Sequence, residues 1–288
     1  MDEVQAGSLV RRWRLGKQLR ELREAAGKPM DEAAEYIGVR RPTLSRIENG
    51  RHAILPRNVK FLCQLYDVGP PDVDMLIRQA EESSERGWWT SYSDTVPNWF
   101  ETYVGFEGDA AAIWTYESEL IPGLLQAPRY ARAITELGSY AEADLERAVQ
   151  FRLERQRSLR NAPPKMRVVL NESALCRTVG DTDVMIEQIE HLITASKASY
   201  LDLRVLPFTA GGHEAMKGAF SMLTLPGEAS PTFVYLEHAN GSLYLERPSD
   251  LALYAANFEK LITAALSASA TKTMLANLKR QLTGLQEG

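Results

Sequence analysis

Residues 38–51 are Gly38-Val39-Arg40-Arg41-Pro42-Thr43-Leu44-Ser45-Arg46-Ile47-Glu48-Asn49-Gly50-Arg51. Gly38 can form the tight turn after one short helix, and Pro42 suits the first turn of the next because its ring fixes φ near the helical value. That next helix ends at Asn49-Gly50, where glycine permits positive φ. Two short helices joined by a glycine-containing turn predict a helix-turn-helix motif.

The flanking sequence predicts three more helices. Leu15, Leu19 and Leu22 lie on one face of a helix that begins near Leu9 and ends before Gly27. The first helix of the motif itself is expected from Pro29 to Ile37. Two later helices are expected at 57–66 and 72–84, separated by a Gly-Pro-Pro break at 69–71. We therefore predict an all-α helix-turn-helix domain at 1–84.

The motif resembles the Cro and repressor family of phage regulators, also called the xenobiotic-response-element type. The resemblance covers about residues 15–68, and its Ile47-Glu48-Asn49-Gly50 ending is specific. It implies a DNA-binding transcriptional regulator whose third helix lies in the major groove. It also implies that Arg40, Arg41, Pro42 and Arg46 face base edges or phosphates.

The chemistry of these side chains agrees with that expectation. Arginine can bind guanine O6 and N7 together, for about 1–3 kcal/mol of discrimination per base pair. Arg41 and Arg46 are five residues apart and not on one face, so we expect one to contact bases and the other the backbone. Hydroxyl and guanidinium groups nearby can bind phosphates. The complete set of expected DNA contacts is Arg40, Arg41, Pro42, Thr43, Ser45, Arg46 and Arg51.

Two departures from the family pattern affect this interpretation. Pro29 and Met30 stand where the family usually has Thr or Ser followed by Gln, so a phosphate and base contact is lost.

By the same resemblance, Arg23 and Glu48 match a buried ion pair that joins the first and third helices. We therefore expect Glu48 to be structural, and loss of one partner to cost several kcal/mol.

The composition is that of a soluble globular protein. The net charge is −5, but residues 1–66 carry 13 Lys and Arg against 8 Asp and Glu, and the rest carries 20 against 30. DNA binding needs a local basic face, which this asymmetry provides. There is no apolar run of about 20 residues and no secretory signal, so we expect no membrane contact. Cys63 and Cys176 are far apart, as in reduced cytoplasmic proteins.

Aromatic residues mark the start of a second domain. Nine of them lie within the 29 residues 88–116. Such a cluster fills a core or lines a pocket, and we favour a core while leaving some rings to contact a ligand or partner. The candidate ligand or partner site is Trp88, Trp89, Trp99, Trp114 and His213.

The remaining pattern predicts a larger α+β domain at 85–270. Helices are expected at 128–137, 142–159, 184–196 and 251–266, and strands at 166–170, 201–207, 220–225, 232–237 and 242–245. Asn240-Gly241 between alternating apolar residues predicts a hairpin. Residues 271–288 are expected to form a C-terminal helix with Leu275, Leu278, Leu282 and Leu285 in a narrow stripe. That stripe suits either a short coiled coil in a dimer or docking onto its own domain.

Four segments of this domain resemble the uncharacterised C-terminal domain of actinobacterial regulators, including WhiJ-like ones. They are Ile121-Pro122-Gly123-Leu124-Leu125-Gln126, Arg155-Gln156, Asn171-Glu172-Ser173-Ala174-Leu175 and Val205-Leu206-Pro207-Phe208. The resemblance spans about residues 88–267 and implies a fold and a regulatory role, without a known ligand. Relatives are often encoded beside a small acidic protein, which makes a small partner protein an expectation as well.

Catalysis and metal binding find little support in the sequence. His213-Glu214 and Glu237-His238 could form an acid/base or metal site, but their spacing fits no zinc, nucleotide-loop or nucleophile motif. We expect no enzyme activity and no cofactor or metal. The predicted function is a dimeric repressor on a near-palindromic double-stranded operator, controlled by a ligand or small partner. The alternative is an antitoxin-like protein that sequesters a small partner and autoregulates its operon.

Overall fold

A computed structural model describes residues 8–50, 52–83, 88–92, 94–138, 142–160, 162–226 and 231–284. The chain divides into two compact units, Met1–Ser91 with Glu101–Asp109, and Tyr92–Phe100 with Ala110–Gly288. The predicted fold classes are confirmed, since an all-α helix-turn-helix region precedes a domain with a mixed sheet and helices. The exact domain boundaries proposed from the sequence stay predictions.

Five helices form the helix-turn-helix unit up to residue 83. They are α1 (Ser8–Ala25), α2 (Met30–Tyr36), α3 (Arg41–Glu48), α4 (Pro56–Leu65) and α5 (Pro70–Glu82). Helix α1 packs against α3 and α5, and α2 packs against α3 and α4. The shared core contains Leu15, Leu19, Leu44, Ile47, Val59 and Leu62. Because Leu44 and Ile47 belong to this core, α3 is held with its opposite face outward.

Two glycines allow α1 to lie close to α3. A Cβ on Gly16 would lie 2.3 Å from the carbonyl oxygen of Ile47, so no larger residue fits at this crossing. Gly50 follows α3 with a φ of 67°, and a Cβ there would lie 2.5 Å from the Cα of Trp13. Positive φ and close backbone approach both favour glycine. The close packing of α1 against α3 therefore requires glycine, which has no side chain, at positions 16 and 50.

The helix starts differ by one residue from the sequence prediction. Pro29 and Arg40 are extended residues that precede α2 and α3, with φ of −61° and −77° and ψ of 147° for both. Pro42 is thus the second residue of α3 rather than the first. The one-residue difference does not change which residues of α3 face the core, because Leu44 and Ile47 are both within the helix and buried.

The second unit is built on a six-stranded sheet. Its strands are β1 (Ala112–Glu117), β2 (Lys165–Asn171), β3 (Leu201–Leu206), β4 (Phe220–Thr224), β5 (Thr232–His238) and β6 (Gly241–Leu245). The strand order is β3-β2-β1-β4-β5-β6. Strands β1, β2 and β3 are parallel, whereas β4, β5 and β6 continue the sheet in antiparallel pairs. The predicted hairpin at Asn240-Gly241 joins β5 to β6.

After α5, the described residues form seven more α-helices. They are α6 (Asn98–Asp109), α7 (Pro128–Glu136), α8 (Glu142–Ser158), α9 (Glu172–Cys176), α10 (Thr182–Ala195), α11 (Pro248–Ala264) and α12 (Ala268–Gly284). Residues 101–109 of α6 belong to the first unit. Helix α11 covers the sheet face that carries Tyr116, Phe220 and Val234, with Phe258 and Leu261 fully buried against it.

The C-terminal helix docks onto its own unit. Helix α12 packs against α10 and β3. The buried hydroxyl of Thr271 accepts a hydrogen bond from the backbone N–H of Val205 at 3.1 Å, and Leu275 is fully buried. Lys279 also forms an ion pair with Glu190 of α10. Leu275 of the apolar stripe is therefore buried within the chain, Leu278 and Leu282 are half-buried, and Leu285 lies outside the described residues.

Candidate nucleic-acid interface

Helix α3 separates its buried residues from its exposed ones. Leu44, Ile47 and Glu48 are buried, with exposed fractions of 0%, 3% and 4%. On the other side, Arg40, Arg41, Pro42 and Arg46 are exposed, and Thr43 and Ser45 are half-buried. The structure thus brings six of the seven expected DNA contacts onto one short segment. Arg51, the seventh, lies outside the described residues.

The Arg23–Glu48 ion pair supports this helix from beneath. Arg23 Nε donates to Glu48 Oε1 at 2.7 Å and Nη2 donates to Oε2 at 2.9 Å, while Nη1 donates to the carbonyl of Lys28 at 3.1 Å. The hydrogen bonds to Glu48 raise the pKa of Arg23 above its ordinary value. A two-point ion pair between α1 and α3 fixes distance and orientation together. Glu48 therefore points away from the exposed face.

Two exposed arginines on α3 take different directions. Arg41 Nη1 donates to Asp31 Oδ2 of α2 at 2.8 Å. Arg46 instead donates from Nε to the carbonyl of Pro42 at 3.3 Å, along its own helix. Asn49 caps the end of α3 by donating to the carbonyl of Ser45 at 2.7 Å. The two guanidinium groups thus have different hydrogen-bond partners, and their separate roles on DNA stay a prediction.

The start of α2 contributes mainly acidic side chains to the surface. Asp31, Glu32 and Glu35 are exposed, and Lys28 forms an ion pair with Glu32 at 2.7 Å. Met30 packs against the core of the unit. Helix α2 itself contains no Lys or Arg. The exposed arginines next to it, Arg40, Arg41 and Arg46, lie at α3. Phosphate binding requires such local positive charge.

The tryptophans of the candidate ligand site have different surroundings. Trp114 lies on β1, stacked on Phe258 with ring centroids 5.3 Å apart, and the Arg167 guanidinium lies 4.8 Å above it. Trp99 contacts the ring of Phe100 at 5.8 Å. Trp88 is half-buried, and the side chain of Trp89 lies outside the described residues. Trp114 is therefore partly buried and packs against the apolar cluster beneath α11, and its role in a ligand or partner site stays a prediction.

His213 belongs to a polar network at one edge of the sheet. Its Nε2 lies 3.4 Å from the hydroxyl of Tyr116, which accepts a hydrogen bond from Asn171 Nδ2 at 3.2 Å. The backbone N–H of Ser173 donates to Asn171 Oδ1 at 3.1 Å, which orients that amide. Tyr116 is 1% exposed, and burial raises the pKa of its hydroxyl. Asn171 and Ser173 carry no motif in the sequence that predicts a place in this network.

This network joins three segments of the chain. Strands β1 and β2 end at the same edge because they are parallel, and residues 207–219 cross that edge to reach β4. His213 lies in this crossing segment, and its Nδ1 is buried without a hydrogen-bond partner. The network can hold the crossing segment in place through hydrogen bonds.

Two of the remaining acid and base candidates, Glu214 and Glu237, have other partners. Glu214 forms an ion pair with Lys260 of α11, and this hydrogen bond lowers the pKa of Glu214. Glu237 accepts a hydrogen bond from the hydroxyl of Tyr235 at 2.9 Å. Within the described ranges, His, Cys, Asp and Glu side chains nowhere gather in groups of three or more that could hold a metal ion.

Comparisons with known families match both units. Residues 14–76 match the model of a helix-turn-helix domain, and residues 100–277 match a domain of unknown function, DUF5753. No curated protein matches the chain. The helix-turn-helix domain points to a DNA-binding regulator rather than an enzyme. The Cro and repressor subtype and the WhiJ-like group stay predictions.

Among the helices described, none is both long enough and apolar enough to cross a membrane.

Proposed function

The chain belongs to the DUF5753 family, and on that premise we propose that it is a sequence-specific transcriptional repressor that binds DNA as a dimer. Helix α3 enters the major groove and contacts the operator through Arg40, Arg41 and Arg46. The DUF5753 domain responds to a ligand or a small partner protein and thereby sets the affinity for DNA.

The exposed face of α3 is the observation that carries this proposal. Its arginines are exposed, while Leu44, Ile47 and Glu48 anchor the opposite face in the core. A recognition helix needs both properties, because contacts to base edges gain specificity only when the helix is held in one orientation. The acidic remainder of the chain limits unspecific attraction to DNA.

A dimer follows from the size of the recognition surface. One helix of this length covers one half-site, and high affinity requires two half-sites about 34–36 Å apart on the same side of the duplex. Two-fold symmetry of the protein then implies a near-palindromic operator. Because α12 is docked onto α10, we place the dimer contact on another part of the C-terminal unit.

Selection from a pool of random-sequence duplexes tests the proposal. The wild-type chain should select a near-palindromic sequence, and Arg46→Ala should weaken binding to it by about 5- to 150-fold if the arginine contacts a guanine. Arg78→Ala removes the same charge from an exposed position of α5 and serves as the control, with little effect expected. If the wild type selects no sequence, or Arg41→Ala with Arg46→Ala leaves binding unchanged, the proposal is wrong.

A further inference from the structure

We propose that Asp31 is a specificity-determining positioning residue, whose carboxylate orients Arg41 toward a guanine of the operator half-site. The inference rests on the proposed function, since it assigns a role within the same DNA-binding surface. It concerns the contact between α2 and α3 that neither helix shows by itself.

The ion pair joins the two helices of the motif at their N-terminal ends. Asp31 is in the first turn of α2, and Arg41 is the first residue of α3. Their atoms Oδ2 and Nη1 are 2.8 Å apart, although both side chains are largely exposed, at 68% and 64%. Exposed ion pairs add little to folding stability. The consequence of this pair is therefore the position of the guanidinium rather than the stability of the unit.

The hydrogen bond leaves the useful edge of the guanidinium free. Arginine has five N–H donors in a rigid planar fork. Because Nη1 is the atom that contacts Asp31, the edge formed by Nε and Nη2 remains available with two parallel donors. Guanine presents two acceptors, O6 and N7, in the major groove at matching spacing. Holding the side chain in advance also reduces the conformational entropy lost on binding.

The carboxylate also repels DNA, which gives the proposal a distinctive sign. A negative charge beside the phosphates weakens binding to every duplex. Asp31 should therefore lower affinity for unrelated DNA and at the same time increase the preference for guanine. A purely structural residue would change both affinities in the same direction.

The adjacent carboxylate provides a matched control. Glu32 is exposed and paired with Lys28 rather than with α3. Glu32→Gln removes the same charge as Asp31→Asn from the next position of the chain. Any effect of charge alone on DNA affinity should therefore appear in both variants.

The experiment compares affinities for three duplexes. Selection with the wild type and Arg41→Ala identifies the guanine whose preference depends on Arg41. Dissociation constants are then measured for the selected duplex, for the same duplex with that guanine replaced by adenine, and for an unrelated duplex. Asp31→Asn should reduce the guanine-to-adenine preference by about two- to fivefold while raising affinity for unrelated DNA. Glu32→Gln should keep the preference, and Asp31→Asn should have no effect on it in the Arg41→Ala background.

Other outcomes separate the two proposals. An unchanged preference in Asp31→Asn overturns the positioning role, whether or not overall affinity rises. Equal weakening of all three duplexes also overturns it, because that result indicates a structural role. If the wild type selects no sequence at all, the proposed function fails instead.

Discussion

In the helix-turn-helix unit, the three arginines proposed to bind DNA, Arg40, Arg41 and Arg46, are exposed at α3, above the buried Arg23–Glu48 ion pair. In the C-terminal unit, by contrast, a buried neutral side chain, Gln188, binds the backbone of a connecting segment. Gln188 of α10 accepts a hydrogen bond from Ala127 N–H at 2.7 Å and donates to the carbonyl of Leu125 at 2.8 Å. The charged side chains of the first unit are thus available to a partner, whereas the buried amide of Gln188 in the second unit binds backbone groups of the same chain.

The two units differ in how their backbone N–H and C=O groups find hydrogen-bond partners. Helices α1 to α5 satisfy most of their own backbone, so side chains are available for the surface. Residues 121–127 form an irregular connection, in which Gln126 donates to the carbonyl of Ile121 at 2.8 Å. Buried backbone groups must find partners, and here side-chain amides provide them. Side-chain amides rather than strand pairing therefore hold this connection in place.

The largest expected effect is loss of the ion pair beneath α3. Glu48→Ala removes the buried two-point partner of the Arg23 guanidinium and leaves it only the exposed Glu24 carboxylate at 3.6 Å, which should lower the free energy of unfolding of the first unit by up to about 3–5 kcal/mol. Hydrogen exchange of peptides from α1 and α3, measured by mass spectrometry, reports this directly. Glu21→Ala, an exposed change on α1, is the control. Unchanged protection in Glu48→Ala would show that the pair does not support α3.

A smaller effect is expected when the buried amide of the second unit is removed. Gln188→Ala leaves the N–H of Ala127 and the carbonyl of Leu125 without partners, at a cost of about 1–3 kcal/mol. Faster hydrogen exchange should be confined to peptides from α7, α10 and their connection. Gln150→Ala changes an exposed amide on α8 and should have little effect. Equal loss of protection in α1 and α3 would contradict the separation between the units.

A third test measures how the free energy of unfolding depends on pH. Burial raises the pKa of Glu117 to about 8, helped by Glu237 and opposed by Arg155. A raised pKa favours the protonated form in the fold, so its stabilising effect is present below about 4.5 and is lost as pH rises through about 8. Glu117→Gln stays neutral, and its stability relative to wild type should increase between these values in urea unfolding. Glu119→Gln, at an exposed carboxylate bound to Arg177, should show no such trend; a flat difference for Glu117→Gln would refute the assignment.

Elements with a strong local signal were predictable from the sequence. Gly27 and Gly38 have φ of 63° and 70°, as expected after helix ends, and Asn240-Gly241 lies in the β5–β6 hairpin. Helix α6 and strand β1 were missed because both fall in the aromatic cluster, where large apolar side chains obscure a period of two or 3.6. Strand β1 is also central in the sheet, and side chains on both of its faces are buried: Ile113 and Thr115 on one face and Tyr116 on the other.

The sequence by itself determined the two fold classes and which side of α3 is exposed, because turns, caps and apolar spacing act between residues close in the chain. Only the tertiary structure decided three further features. Gly16 lies against the carbonyl of Ile47, Asp31 contacts Arg41, and α12 packs on α10. Each joins residues that are distant or on different elements, and such contacts depend on how the elements pack rather than on local conformational preference. The exposed face of α3 can therefore be predicted from the sequence, whereas the orientation of its arginines cannot.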